Sequence, residues 1–104
     1  MSAADLPTRL RALLMELMLI PGLSGHEDRV RRRLTREMTA LGLATRTDRL
    51  GNLIVTAAGD PSRPSAMLFT HMDQLGLIVR RIEPDGFVRV ERLGGVPERA
   101  LASQ

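Results

Sequence analysis

Hydrophobic residues in the N-terminal third of the chain recur every three or four positions, whereas later ones fall in short runs. The first periodic set comprises Leu6, Leu10, Leu13, Leu14, Leu17 and Met18. This spacing predicts an amphipathic α-helix over residues 7–19. Pro21 and Gly22 follow and end it, because proline disfavours helical geometry in the residue before it and glycine permits a sharp bend.

A second periodic set predicts another helix, which ends at about Leu41. Its apolar stripe consists of Val30, Leu34, Met38 and Leu41. Ser24, with Glu27 three residues later, has the spacing of a capping box, in which each side chain accepts a free backbone N–H at the start of a helix. Gly42 is a suitable residue to end this helix.

From Ala44 onward the pattern changes to short apolar runs separated by turn-forming residues, as is typical of β-strands. The predicted strands cover residues 44–48, 52–57, 66–70, 76–83 and 87–93. Turns are predicted at Arg49-Leu50-Gly51 and Pro84-Asp85-Gly86, and a surface loop at residues 59–65. The sequence therefore predicts two helices followed by a mixed β-sheet, in an α/β or α+β arrangement.

The composition is that of an ordered globular protein with few aromatic residues. The chain has 104 residues, the size of one small domain, of which 43% are hydrophobic and 26% charged. Its aromatic residues are two phenylalanines, which disfavours the base-stacking surfaces of proteins that bind single-stranded nucleic acid. Because there is no cysteine, a metal ion would have to be bound by histidine and carboxylate groups.

Charge gives little support for a polyanionic partner or a membrane. All fifteen basic residues are arginine, and the net charge of +3 is ordinary despite a pI of about 11.2. This use of arginine resembles a coding bias as much as selection for phosphate binding. Arg9, Arg11 and Glu16 interrupt the apolar N-terminal region, which is typical of neither a signal peptide nor a membrane span. We expect a cytoplasmic protein with no membrane partner.

His71 and Asp73 are the first candidates for functional chemistry. Side chains two residues apart in an extended segment project to the same face, so this pair could meet one metal ion together. A histidine ligand to zinc needs its other ring nitrogen held by a carboxylate or carbonyl group, and Asp73 is placed for this. A bare His-x-Asp sequence is more often a surface histidine beside a turn-forming aspartate, so the pair alone leaves both interpretations open.

Two other features have simple structural explanations. His26, near the predicted start of the second helix, is best interpreted as an exposed residue. The arginine cluster could contact phosphate groups, as in a winged helix-turn-helix protein. Opposite charges at Glu27, Asp28 and Glu37 favour a solvated charged face, and a nucleic-acid-binding module remains the alternative. The cluster consists of Arg29, Arg31, Arg32, Arg33 and Arg36.

In order and spacing, five segments resemble the opening of the TET-type dinuclear metalloaminopeptidases. This family includes glutamyl and deblocking aminopeptidases and proteins once labelled cellulase-like. The segments are Ile20–Asp28, Asp48–Ile54, Met67–Val79, and Gly86-Phe87 with Leu93-Gly94-Gly95. Each motif alone is weak, but their order and spacing make the joint signal specific, and the resemblance extends over nearly the whole chain.

The resemblance implies that His71 binds one of two divalent metal ions, zinc or cobalt, and that Asp73 is the catalytic-site carboxylate that orients it. It also implies hydrolysis of N-terminal peptide bonds by a metal-activated water. Such an enzyme acts on peptides, has a zinc-peptidase-like α/β/α catalytic domain and forms homo-oligomers.

The chain departs from the family in two ways. Gln74 stands where the family often has glutamate. The family's remaining metal ligands and its general base would lie beyond Gln104, and the segment Gly94–Gln104 resembles the entry to the family's inserted dimerisation domain. We therefore expect residues 1–104 to be the N-terminal part of a catalytic domain, inactive alone. A non-catalytic oligomerising remnant is a further alternative.

Overall fold

The computed structural model describes residues 5–101, which form two α-helices followed by four β-strands and a short 3₁₀ helix. The helices are α1 (Leu6–Met18) and α2 (Asp28–Ala40). The strands are β1 (Thr45–Thr47), β2 (Leu53–Val55), β3 (Gly76–Ile82) and β4 (Val88–Leu93), and the 3₁₀ helix covers Glu98–Ala100. The predicted order of helices before strands is confirmed.

Helix α1 agrees with the predicted helix to within one residue at each end, and Pro7 lies in its first turn, where the missing backbone N–H costs nothing. Its connection to α2 is mainly ionic. The Arg33 guanidinium donates to both carboxylate oxygens of Glu16 at 2.5 and 2.8 Å, and also to Glu37 at 3.0 Å. Arg9 reaches the other oxygen of Glu37 at 2.7 Å.

Helix α2 begins at Asp28, later than predicted, and the expected capping box between Ser24 and Glu27 is wrong. Glu27 precedes the helix without a side-chain capping bond, and its carboxylate accepts the N–H of Gly25 at 2.7 Å. Gly25 has a φ of +80°, a left-handed conformation that helical residues do not adopt. The Ser24 hydroxyl instead donates to Asp73, a residue distant in sequence, so a tertiary contact replaces the local cap.

The C-terminal end of α2 follows the prediction. Gly42 has a φ of +75°, its N–H donates to the Thr39 carbonyl at 2.9 Å, and the N–H of Leu43 donates to the Met38 carbonyl at 3.0 Å. This pair of bonds is a Schellman motif, which satisfies carbonyl groups that the last turn of a helix leaves free.

The first hairpin pairs β1 and β2 antiparallel around the segment Asp48–Asn52. The Asp48 carboxylate accepts the backbone N–H groups of Leu50 and Asn52, both at 2.9 Å, which closes the turn. Arg31 of α2 donates to the carbonyl of Gly51 at 2.7 Å. The predicted hairpin is confirmed with shorter strands, and one arginine of the cluster fixes it to α2.

The second hairpin pairs β3 and β4 antiparallel across the predicted turn Pro84-Asp85-Gly86. Gly86 has a φ of +89° and donates its N–H to the Glu83 carbonyl at 3.0 Å. The pairing shifts between Val79 and Arg81, which marks a β-bulge in β3. This hairpin is also confirmed.

The single mixed sheet of the prediction is not formed by the described residues, which contain two separate two-stranded sheets. The predicted strand at residues 66–70 is also wrong. Met67, Leu68 and Phe69 are 86%, 97% and 92% exposed, and no strand of the described part of the chain pairs with them. An apolar run becomes a strand only where neighbouring strands accept its backbone hydrogen bonds, and here each hairpin pairs with itself.

Hydrophobic packing is sparse and local. Val30 of α2, 4% exposed, is the only buried hydrophobic side chain among residues 5–101. The radius of gyration is 18.5 Å, compared with about 13 Å for a compact domain of 100 residues.

No helix in the described range has the length and apolar character needed to cross a membrane. The last three residues of the predicted exit segment, 102–104, lie outside the described residues.

Candidate functional site

The segment that contains His71 and Asp73 lies beside the connection between α1 and α2. The backbone N–H of Gln74 donates to the carbonyl of Gly22 at 2.7 Å, and Leu23 and Gln74 form an isolated parallel β-bridge. The side-chain amide of Gln74 donates to the carbonyl of Leu17, near the end of α1, at 3.2 Å. These bonds fix the position of the motif relative to both helices.

Two glycines allow these segments to approach closely. A β-carbon on Gly22 would lie 2.6 Å from the Cγ2 atom of Val30, so the buried valine occupies the space that a side chain would need. A β-carbon on Gly76, at the start of β3, would collide with the side chain of Leu23. The sequence around the motif therefore requires glycine for packing, and Gly22 does more than end α1.

His71 and Asp73 are brought together, as the family resemblance implies. The Nδ1 atom of His71 lies 3.0 Å from Oδ1 of Asp73 and 3.1 Å from the backbone carbonyl oxygen of Asp73. Both oxygens only accept hydrogen bonds, so the arrangement requires a proton on Nδ1 when the ring is neutral. The lone pair of Nε2 then remains available to a metal ion, and the ring itself is 83% exposed.

Asp73 is also held from its other side, because the Ser24 hydroxyl donates to its Oδ2 atom. This hydrogen bond is the largest cause of a pKa below the ordinary value for the Asp73 carboxyl group. Partial burial acts in the opposite direction, while the residue's own backbone N–H and His71 lower the pKa further. Asp73 is therefore ionised at neutral pH, as an orienting carboxylate must be.

An open depression of about 400 Å³ adjoins the histidine and is lined by Met18, His71, Asp73, Gln74 and Leu75. Imidazole with a carboxylate on its second nitrogen suits a divalent transition metal. No group of three His, Cys, Asp or Glu side chains able to bind a metal occurs within residues 5–101. The residues present therefore fit one ligand position of a metal centre.

The other sequence candidates lie elsewhere. His26 borders a separate depression with Pro21, Leu23, Asp28, Arg29 and Arg32, and its own side chain is exposed. Within the arginine cluster, Arg31 and Arg33 make the intramolecular contacts described above. Part of the cluster therefore stabilises the arrangement of α2 with α1 and the first hairpin.

Sequence reasoning missed three residues that build the site: Gly22, Ser24 and Gln74. The local sequence pattern indicates a helix stop at Gly22 and a helix cap at Ser24. Gln74 stands out only as a departure from the family pattern. Their roles depend on contacts between positions about fifty residues apart, which local periodicity does not reveal. The one signal in the sequence was the inclusion of Ile20–Asp28 among the segments that carry the family resemblance.

Sequence comparison finds similar proteins with which this chain shares most of its own length. It is 38% identical over 90 residues to the protein SgcX of Escherichia coli strain K12, which covers 86% of this chain and 24% of the relative. It is 36% identical over 93 residues to the lysyl aminopeptidase of Pyrococcus furiosus, a match that covers 88% of this chain and 26% of the relative. It is 40% identical over 77 residues to the glutamyl aminopeptidase of Lactococcus lactis subsp. cremoris, a match that covers 73% of this chain and 22% of the relative.

The chain thus spans about a quarter of the length of these relatives. A family model described as M42 glutamyl aminopeptidase matches residues 51–104, which include His71, Asp73 and both strands of the second hairpin. This match covers just over half of the chain and agrees with the resemblance seen in the sequence motifs. The chain belongs to the M42 glutamyl aminopeptidase family.

Proposed function

We propose that this chain supplies His71 as a ligand to one ion of a two-metal aminopeptidase centre, with Asp73 as its orienting carboxylate. The observation that carries the proposal is the position of the Asp73 carboxylate 3.0 Å from Nδ1 of an exposed imidazole. Membership of the M42 family supports it, as do relatives named as lysyl and glutamyl aminopeptidases.

When bound, two divalent ions, zinc or cobalt, would activate water and polarise the carbonyl group of an N-terminal peptide bond. The residues of this chain would contribute orientation and electrostatics. Asp73 keeps the Nδ1 proton of His71 in place and presents Nε2 as the donor atom.

The site of this chain is incomplete for that reaction. A two-metal centre needs several protein ligands, and residues 5–101 provide one position for a ligand with its orienting partner. We therefore infer that residues 1–104 form the N-terminal part of a zinc-peptidase-like α/β/α catalytic domain, and that they are inactive alone. We further propose a cytoplasmic peptidase that is homo-oligomeric when complete.

The test is metal-dependent release of N-terminal residues from aminoacyl and peptide substrates by the full gene product. With zinc, cobalt or manganese added, we expect hydrolysis that chelation abolishes. His71→Ala removes the donor atom itself, so kcat/KM should fall by more than the 10- to 100-fold, roughly, that follows loss of an orienting partner. Asp73→Ala removes only the orienting partner, so we expect its kcat/KM to fall by about 10- to 100-fold.

His26→Ala is the matched control, because His26 is the only other histidine and lies in a different depression. It should retain the activity of the unsubstituted protein. Absence of hydrolysis with all three metals, or equal activity of His71→Ala and His26→Ala, would refute the proposed function.

A further inference from the structure

We propose that Ser24 is a positioning residue that acts through Asp73 to set the tautomer and orientation of the His71 ring. This inference rests on the proposed function for its significance in metal binding, but its geometric basis is independent of it. Ser24 lies in the connection between the helices, and its hydroxyl group donates to the carboxylate oxygen that faces away from His71.

The first step of the argument concerns the freedom of the carboxylate. The terminal torsion of an aspartate side chain has a broad, roughly twofold preference, so one hydrogen bond leaves the group able to rotate. Oδ1 of Asp73 lies 3.0 Å from Nδ1 of His71, while Oδ2 receives the Ser24 proton. With a partner on each oxygen, the plane of the carboxylate is fixed relative to the imidazole.

The second step concerns the rigidity of Ser24 itself. The residue before it, Leu23, forms the parallel bridge with Gln74, and Gly22 accepts the Gln74 N–H at 2.7 Å. Ser24 and Asp73 thus lie diagonally across two paired backbone segments, one on each side of this bridge. Their hydrogen bond does not depend on ordering a long side chain, which makes it a low-entropy restraint.

The third step is the consequence for the ring. Nδ1 of His71 also lies 3.1 Å from the backbone carbonyl of Asp73, so one acceptor persists if the carboxylate rotates away. Loss of the Ser24 hydroxyl should therefore lower the population of the tautomer protonated on Nδ1 without abolishing it. That tautomer is the one whose Nε2 can bind a metal ion.

The experiment is two-bond ¹H–¹⁵N correlation spectroscopy of the ¹⁵N-labelled 104-residue chain, without metal, at pH 8. We expect the ¹⁵N shifts of His71 to report mainly the tautomer protonated on Nδ1. Ser24→Ala should move both nitrogen shifts towards those of the exposed His26 ring, which serves as an internal reference. Ser24→Thr retains the hydroxyl group and should restore the unsubstituted values.

Ser62→Ala is a matched control, because the Ser62 hydroxyl also donates to an aspartate, Asp60, at 2.7 Å in an exposed loop. It should leave the His71 shifts unchanged. A second readout is titration with Zn²⁺ alone, followed at the His71 resonances. Removing a direct orienting partner costs about 10- to 100-fold in metal affinity, and Ser24 is one bond further away. We therefore expect a reduction of at most about tenfold for Ser24→Ala.

The outcomes separate the two proposals. Unchanged His71 nitrogen shifts in Ser24→Ala, with a dispersed amide spectrum, would overturn the role of Ser24 and leave the peptidase proposal standing. A collapsed amide spectrum of the unsubstituted chain would overturn the geometry on which the inference depends. The expected tautomer change, together with a full gene product that hydrolyses nothing, would support the role of Ser24 and refute the proposed function.

Discussion

Replacing Gly22 with alanine should destabilise the chain through a collision with its only buried hydrophobic side chain in residues 5–101. The new β-carbon would lie 2.6 Å from Cγ2 of Val30, well inside van der Waals contact. Valine has one strongly preferred rotamer in a helix, so it cannot turn aside without strain. The Gly22 carbonyl also accepts the Gln74 N–H, and a shift of the backbone would disturb the segment that contains His71.

The magnitude follows from two opposing effects. Overpacking a fitted site costs about 1–3 kcal/mol. The φ angle of Gly22 is not in the left-handed region, so alanine can adopt it. Alanine also lowers the conformational entropy of the unfolded chain, which stabilises the folded state by about 0.4–1 kcal/mol. We expect Gly22→Ala to lower the free energy of unfolding by about 1–2 kcal/mol. The assay is urea unfolding followed by circular dichroism at the helical band, with Gly59→Ala as control because no atom lies within 4 Å of its added β-carbon.

A double-mutant cycle sharpens this test. Val30→Ala alone removes two buried methyl carbons and should cost about 1.6 kcal/mol, at about 0.8 kcal/mol each. It also removes the Cγ2 atom with which the added β-carbon of Gly22→Ala would collide. The double variant should therefore be more stable than the sum of the single losses predicts, by about 1–2 kcal/mol, within the range typical of residues in contact. Equal stability of Gly22→Ala and Gly59→Ala, or strict additivity with Val30→Ala, would show that Val30 does not pack on Gly22.

Two further predictions concern the connections of α1. Gln74→Glu replaces an amide donor to the Leu17 carbonyl with a carboxylate beside the negative end of the helix dipole. This substitution should lower the free energy of unfolding by about 1 kcal/mol, measured in urea at pH 7. An unchanged free energy of unfolding would contradict the hydrogen bond between Gln74 and Leu17. The pKa values of Glu16 and Glu37 lie below 4.5, chiefly through hydrogen bonds from Arg33 and Arg9 respectively. Because folding depresses both pKa values, their stabilisation is present above about pH 4.5 and is lost as pH falls through the folded values. Arg33→Gln should flatten this acid dependence in unfolding measured from pH 6 to 3, and an unchanged slope would refute the assignment.

The sequence determined the elements whose signals are local. Helical periodicity predicted α1 closely, and the glycines at positions 42 and 86 marked a helix end and a hairpin turn, since both require positive φ angles. The spacing of His71 and Asp73 allowed their side chains to meet, and the family resemblance implied that they do. In each case the interacting groups are within a few residues, so backbone geometry nearly fixes their relation.

The tertiary structure decided which competing interactions prevailed. Ser24 and Glu27 have the spacing of a helix cap, but the Ser24 hydroxyl donates to a carboxylate 49 residues away, and α2 starts only at Asp28. Residues 66–70 have the composition of a buried strand, yet Leu68 is 97% exposed because no neighbouring strand accepts their hydrogen bonds. Strand pairing and side-chain partners depend on which distant segments lie alongside, a property that hydrophobic periodicity does not specify. The sequence thus identified the His71–Asp73 pair, and the tertiary structure showed that Gly22, Ser24 and Gln74 hold it in place.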